Sequence, residues 1–368
     1  MNIGYILPRA DFFTRGINGS VTHAKGISNG LSKLVEKIVI YSGLCSDKYI
    51  SSENVQHVNV ENKLLFNLYL IQRLFANRKT LDFVIVRYST KWGWFYCIAL
   101  NFIFRKRWAF EVNSFGFQQL SNVQAGSYSL LCFLLKHIEL YVIKRSFIVN
   151  CVSDSLTNII RNSNENVFTL PNASYVNKKL SESVAFDGSA SKVKLVYMGL
   201  FHSYYDLVSI VNSVKLMSSL DVELHLYGEG ELSHLMGQAA NKASNIYFHG
   251  RYKFDEVVSK GALNGKTFLI LPYKDQTIAN FGSPTKLFEY LSLGLPIIST
   301  KVGQPYQLLA DVDFVYFYEN DISELVNLIG NDIHIDRKEI LKYFSNNHTW
   351  DARCSFYLSE IKSRTNIN

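Results

Sequence analysis

Residues 279–300 read ANFGSPTKLFEYLSLGLPIIST, and their polar members are spaced for phosphate and sugar chemistry. A turn made of Gly282, Ser283, Pro284 and Thr285 follows an apolar run at 267–271 and opens a predicted helix. Its apolar positions are Leu287, Phe288, Leu291 and Leu293, and Gly294 ends it. The first amides of a helix lack intrahelical partners and sit at the positive end of its dipole, so they attract phosphate oxygens. Ser283, Thr285 and Lys286 add two hydroxyls and a full positive charge there. Glu289 stands one helical turn after Thr285, where a carboxylate can accept hydrogen bonds from a ribose diol. The same pattern also suits an ordinary buried helix with Ser283 as its cap and Glu289 in a salt bridge.

A site of this kind needs a frame. Short runs rich in Val, Ile and Phe recur at 2–7, 37–41, 83–87, 108–112 and 147–152, with helical stretches between them. A second series follows at 193–198, 222–227, 246–249, 267–271 and 296–300. Strands that alternate with helices imply parallel sheets. Between the two series the chain turns polar, with Gly188 and four serines in 181–191, the composition of a linker. A chain of 368 residues is long enough for two ordinary domains. The expectation is an α/β protein of two doubly wound domains facing a cleft: 1–173, a linker at 174–191, a second domain at 192–345, and a C-terminal segment at 346–368.

In open parallel sheets ligands sit beyond the carboxyl ends of the strands, so the loops after strands hold the further candidates. Gly16 and Gly19 stand in the loop after the first strand. An ordinary turn explains paired glycines equally well. His23, just inside the first helix, reads as a packing or surface residue.

Composition narrows the classes. With 48% hydrophobic and 19% charged residues, the chain reads as globular rather than disordered. The apolar start gives way to Pro8, Arg9 and Asp11 too early for a secretory signal, and the stretch 95–104 is too short to span a bilayer, so the expected location is cytoplasmic. Five scattered cysteines form no CxxC pair and indicate neither disulfides nor a zinc site. Asp311 and Asp313 form a DxD, but before a late strand and far from the phosphate helix; no metal or other cofactor is expected. Residues 1–175 hold 19 Lys and Arg against 10 Asp and Glu, whereas 176–368 hold 19 against 21. A basic first half suggests an anionic partner. No nucleic-acid motif is present, and Trp92, Trp94, Phe95, Phe102 and Phe104 precede Arg105, Lys106 and Arg107. Aromatics beside cations suit peripheral attachment to an anionic membrane surface, although a core helix followed by a strand reads the same way.

The segment SPTKLFEYLSLGLP closely resembles the nucleotide-sugar signature of the family 4 retaining glycosyltransferases of GT-B fold, in its Ser-Pro-x-Lys form. The resemblance runs over nearly the whole chain: RGINGSVTH at 15–23, FEVNS at 110–114, CVSDS at 151–155, LPNA at 170–173, YMGLFH at 197–202, YGEGE at 227–231 and FHGRY at 248–252. It implies two Rossmann-like domains, a terminal helix at 346–368 that crosses back to the first, a diphosphate at the turn 282–285 with Lys286 and Leu287, and ribose on Glu289. It also implies phosphate near Gly16, Gly19 and Gly199, the base near Arg251 and Tyr252, and an acceptor-side role for Glu111 and Asn113, with Glu111 and Lys286 as catalytic candidates. Phe281 stands where the family usually has an acid, and Leu200 where it has an arginine, which leaves the phosphate charge to Lys286, the helix dipole and His202. The implied reaction transfers a sugar from a nucleotide-diphosphate sugar, with retention, to a glycan or polyprenyl-linked glycan of a cell-surface polysaccharide. A nucleotide-sugar epimerase or hydrolase of the same fold, or a non-catalytic partner subunit, remains open at this point.

Overall fold

The computed structural model describes residues 1–13, 19–44, 52–61, 65–121, 129–217, 221–325, 331 and 333–365. The chain divides into two compact units. Residues 1–173, 281–283 and 348–368 form the first, and 174–280 with 284–347 form the second.

In the first unit the order is β1 (Asn2–Ile6), α1 (Gly19–Ser32), β2 (Lys37–Ser42), β3 (Val55–Asn59), α2 (Phe66–Ala76), β4 (Phe83–Arg87), α3 (Gly93–Ile103), β5 (Trp108–Val112), α4 (Gly116–Ser121), α5 (Ser129–Lys144), β6 (Ile148–Cys151), α6 (Asp154–Arg161) and β7 (Val167–Thr169). The second begins with α7 (Lys178–Glu182) and continues through β8 (Val193–Met198), α8 (Leu207–Leu216), β9 (Val222–Tyr227), α9 (Ser233–Lys242), β10 (Ile246–Gly250), α10 (Phe254–Ser259) and β11 (Lys266–Leu271). Then follow α11 (Thr277–Phe281), α12 (Thr285–Leu291), β12 (Ile297–Thr300), α13 (Gly303–Leu309), β13 (Val315–Tyr318) and α14 (Arg337–Asn347). Helix α15 (Trp350–Thr365) returns the chain to the first unit.

Both sheets are parallel, in the orders β3-β2-β1-β4-β5-β6-β7 and β10-β9-β8-β11-β12-β13. Burial on both faces explains why the central strands read as unbroken apolar runs. Each order reverses once, between β1 and β4 and between β8 and β11. Loops splay apart at such a reversal and leave a crevice at the carboxyl ends of the strands.

The first sheet packs α1 and α15 on one face, through Ala24, Ile27, Leu31, Trp350 and Tyr357, and α2, α3 and α5 on the other, through Leu70, Tyr96, Leu100, Val142 and Ile143. Gly26 and Gly30 let α1 and α15 close on each other, because a methyl group at either would run into Trp350 or Cys354. Residues 174–191, linker-like in composition, lie with the second unit, where α7 forms and Phe186 bridges to Gly265. Among the described residues no helix is long and apolar enough to cross a membrane. The four cysteines described are free thiols, and Cys45 lies outside the described residues.

Candidate functional site

In the second unit the β8/β11 reversal gathers three chain segments. Gly199, directly after β8, has φ 157°, and a side chain there would collide with Lys286. Its amide donates to the Tyr227 carbonyl at 2.8 Å, and Gly228 packs so tightly on the Gly199 carbonyl that no side chain fits there either. Two glycines therefore let the loops after β8 and β9 touch through bare backbone.

Lys286 enters this crevice from the first turn of α12. Its Nζ donates to the Tyr197 hydroxyl at 2.7 Å and lies over the Tyr197 and Tyr205 rings, 4.3 and 4.0 Å from their centroids. Tyr197 passes the chain on, donating to the Leu200 carbonyl at 2.6 Å. Burial pulls the Lys286 ammonium down to about 7, against the opposing pull of Glu289. Burial likewise raises the Glu289 carboxyl, and Lys286 opposes that. Burial also raises the Tyr252 hydroxyl, and the Glu289 charge adds to it. Tyr290 fixes α12 to β8 by accepting from the Met198 amide at 2.9 Å and donating to its carbonyl at 3.3 Å. The result is a cation held by two phenols rather than by a carboxylate, able to exchange those neutral partners for an anion.

Other candidates fall elsewhere. Leu287 presents nothing to a ligand: its side chain is core, and its amide donates to the Pro284 carbonyl at 3.2 Å. Pro284 is the N-cap of α12, which makes no side-chain cap bond, and Thr285 is half-buried at its first turn. His202 is exposed, packed on Tyr204 and 3.8 Å from Glu231. Arg251 is exposed and pairs with Glu229 at 3.1 Å. Among the described residues no cluster of three His, Cys, Asp or Glu could hold a metal ion, Asp311 and Asp313 included.

Gly282 and Ser283 belong to the first unit. Ser283 does not cap α12, because its hydroxyl accepts from the Asn172 amide at 2.9 Å and its carbonyl accepts from Asn172 Nδ2 at 2.5 Å. Next to it, Ser153 caps α6 and donates to the Phe281 carbonyl at 2.8 Å. The motifs CVSDS and LPNA thus grip the segment that leads into α12.

Glu111, next to last in β5, has no exposed surface and is surrounded by Tyr5, Asn113, His23 and Arg87. Tyr5 and Asn113 each donate at 2.9 Å, His23 Nε2 lies at 3.2 Å and Arg87 Nη1 at 3.3 Å. Burial pushes the Glu111 carboxyl up, but His23, Arg87 and Asn113 outweigh it and hold it down to about 2. His23 Nδ1 faces Asn172 Oδ1 at 2.5 Å, so both its ring nitrogens meet oxygens. Glu111 is therefore placed to orient Arg87 and His23 rather than to touch a ligand itself. Gly19 opens α1 with open space beside it, and Gly16 lies outside the described residues. Tyr197, Tyr205 and Arg87 escape the sequence reading. Arg87 alone left a signal, a charge closing the apolar strand FVIVR.

No curated protein sequence matches the chain. The apo lipopolysaccharide outer core galactosyltransferase WaaB superposes over 99% of this chain and 100% of its own, with TM-score 0.69 at 12% identity. Anabaena HepE in complex with UDP gives the same coverage, identity and TM-score. Sucrose-phosphate synthase from Thermosynechococcus elongatus covers 98% of each chain at TM-score 0.65 and 11% identity. At such identities the likeness is one of fold. Residues 192–331, which hold the β8/β11 crevice, match the family model of the glycosyl transferases group 1. Within the second unit, residues 192–331 are thus similar to the glycosyl transferases group 1, and the fold of the chain is that of the GT-B glycosyltransferases.

Proposed function

We propose that this glycosyltransferase moves a sugar, with retention, from a nucleoside-diphosphate sugar to a glycan or polyprenyl-linked glycan during cell-surface polysaccharide assembly. The observation that carries the reading is Lys286, laid against the Gly199 backbone at the β8/β11 reversal with Glu289 one turn further along α12. A diphosphate in that crevice exchanges the Tyr197 hydroxyl for its own oxygens as the partner of Lys286. Glu289 then accepts from the ribose hydroxyls, and Tyr252 borders the nucleoside. As the bond to the anomeric carbon breaks, negative charge grows on the leaving diphosphate, where a preorganised cation lowers the barrier most. Retention follows if that leaving phosphate takes the acceptor proton on the face it departs from.

Uridine diphosphate is the first nucleotide to test, since HepE, a fold neighbour, is described with UDP and with UDP-glucose. The surface-polysaccharide assignment takes support from WaaB and from WaaG, both tied by description to lipopolysaccharide. A thermal-shift screen with uridine, guanosine and adenosine diphosphates tests the donor site. A ligand at ~100 times its dissociation constant stabilises by ~2.7 kcal/mol. One nucleotide is expected to raise the melting temperature, and Glu289→Gln to shrink that rise while leaving the empty protein unchanged. Absence of any shift with all three sinks the donor reading, and donor conversion without an acceptor indicates an epimerase instead.

A further inference from the structure

We propose that the outer face of α3 and α5 docks on an anionic lipid bilayer. The proposal takes its purpose from the lipid-linked acceptor proposed above, but its evidence is independent of the donor site.

Both helices cover the same face of the first sheet. They are joined through Cys97 Sγ to the Val142 carbonyl at 3.5 Å and Asn101 Nδ2 to the Arg145 carbonyl at 2.9 Å. Their inner faces supply Tyr96, Leu100, Val142 and Ile143 to the core. Their outer faces stay apolar where a surface helix normally turns polar. On α3, Trp94, Ile98 and Phe102 recur every fourth residue and are 52, 67 and 82% exposed. On α5, Leu130, Leu134 and Ile138 repeat the stripe. Nine exposed large apolar side chains stand on these two helices, against one, Phe356, on α1 and α15 across the sheet. The asymmetry belongs to one layer and is not a property of the whole surface. Clustered exposed apolar side chains of this kind mark an interaction site.

Charge decides what covers it. Residues 91–107 and 129–145 contain seven Lys and Arg and a single carboxylate, Glu139. Glu139 is buried, accepting from Thr90 at 2.8 Å and from the Gly116 and Phe117 amides at 3.0 and 3.1 Å, which ties α5 to the start of α4. Arg105, at φ 51°, ends α3 in a left-handed turn, and Arg105 and Lys106 are exposed there. Lys136, Lys144 and Arg145 are exposed on and after α5. Two copies of this face brought together would oppose like charges with no exposed acid to pair them. An anionic bilayer takes both halves of the pattern, apolar side chains entering at headgroup depth and cations meeting lipid phosphate.

The test is cosedimentation of the full chain with phosphatidylglycerol-containing vesicles and with pure phosphatidylcholine vesicles. Binding is expected to the first, weakening as salt shortens the screening length. Ile98→Ser with Phe102→Ser, and separately Arg105→Ser with Lys106→Ser, are each expected to lower partitioning roughly tenfold or more. Both variants should keep the nucleotide-induced thermal shift, which shows them folded and keeps a failed membrane test distinct from a failed donor site. Equal binding to both vesicle types, binding to neither, or variants that bind like the parent overturn the proposal. So does a concentration-dependent dimer abolished by Phe102→Ser, which would give the face to a second copy of the chain.

Discussion

Lys286 is charged only in part at neutral pH, because burial among phenols pulls its ammonium to about 7. A diphosphate favours the charged form, so the pKa rises on binding and a proton is taken up between the free and bound values. Nucleotide affinity should therefore fall as pH climbs above about 7 and level off below it. Titrating UDP against the parent and Lys286→Ala over that range checks the sign, since only the parent should show this slope. In the same variant turnover should drop by roughly 10²–10³, the cost of a lost transition-state partner. Identical pH profiles, or unchanged turnover at saturating donor, would remove Lys286 from the site. The lysine and the glutamate after it were legible from the motif. Tyr197 and Tyr205 were not, because a tyrosine near a strand end looks like any other core aromatic until the fold brings a cation to its ring.

At the level of elements, Glu111 couples β5 to β4 and α1 through Arg87 and His23. Its carboxyl is depressed in the folded state, so the stability it contributes is present above the ordinary glutamate range and is lost as pH falls from about 4.5 to about 2. Glu111→Gln keeps the shape but leaves Arg87 without its buried counter-charge, a change that typically costs about 3–5 kcal/mol. Thermal melts should show a large gap between parent and variant near neutrality that closes on acidification through that window. A gap that stays constant with pH would mean that packing, and not the charge, sets the cost. The sequence placed Glu111 at the end of a strand, and its role was the part hidden. Whether such a carboxylate faces a ligand or the core depends on Tyr5, Arg87 and His23, each far from it in sequence. For a related reason β3 and β7 went unread: β3 mixes half-buried and exposed residues, and β7 has only three.

Across the whole molecule, the two wound sheets were legible because parallel strands buried on both faces must be apolar throughout, and the helices between them carry their own period. The return of α15 to the first unit was legible from resemblance alone, since nothing in its composition names the surface it covers. The physical reason appears only in the packing: Gly26 and Gly30 of α1 receive Trp350 and Cys354, Lys33 pairs with Asp351 at 2.7 Å, and the Tyr357 hydroxyl donates to Asn150 at 2.7 Å. Trp350, Cys354, Tyr357 and Ile361 are all buried against the first unit. Burying a large apolar side chain stabilises by about 1.5–3 kcal/mol, so three such residues and a cysteine rival the 5–15 kcal/mol that typically holds a domain folded. A chain ending at Asn347 should consequently lose the cooperative unfolding of the first unit, while the second, whose core lacks α15, still melts cooperatively and still shifts with nucleotide. Calorimetry on the truncated and full chains separates the two transitions, with the nucleotide marking the one that belongs to residues 174–347. If the first transition survives truncation unchanged, α15 is a passenger on that surface, and the two glycines of α1 need another explanation.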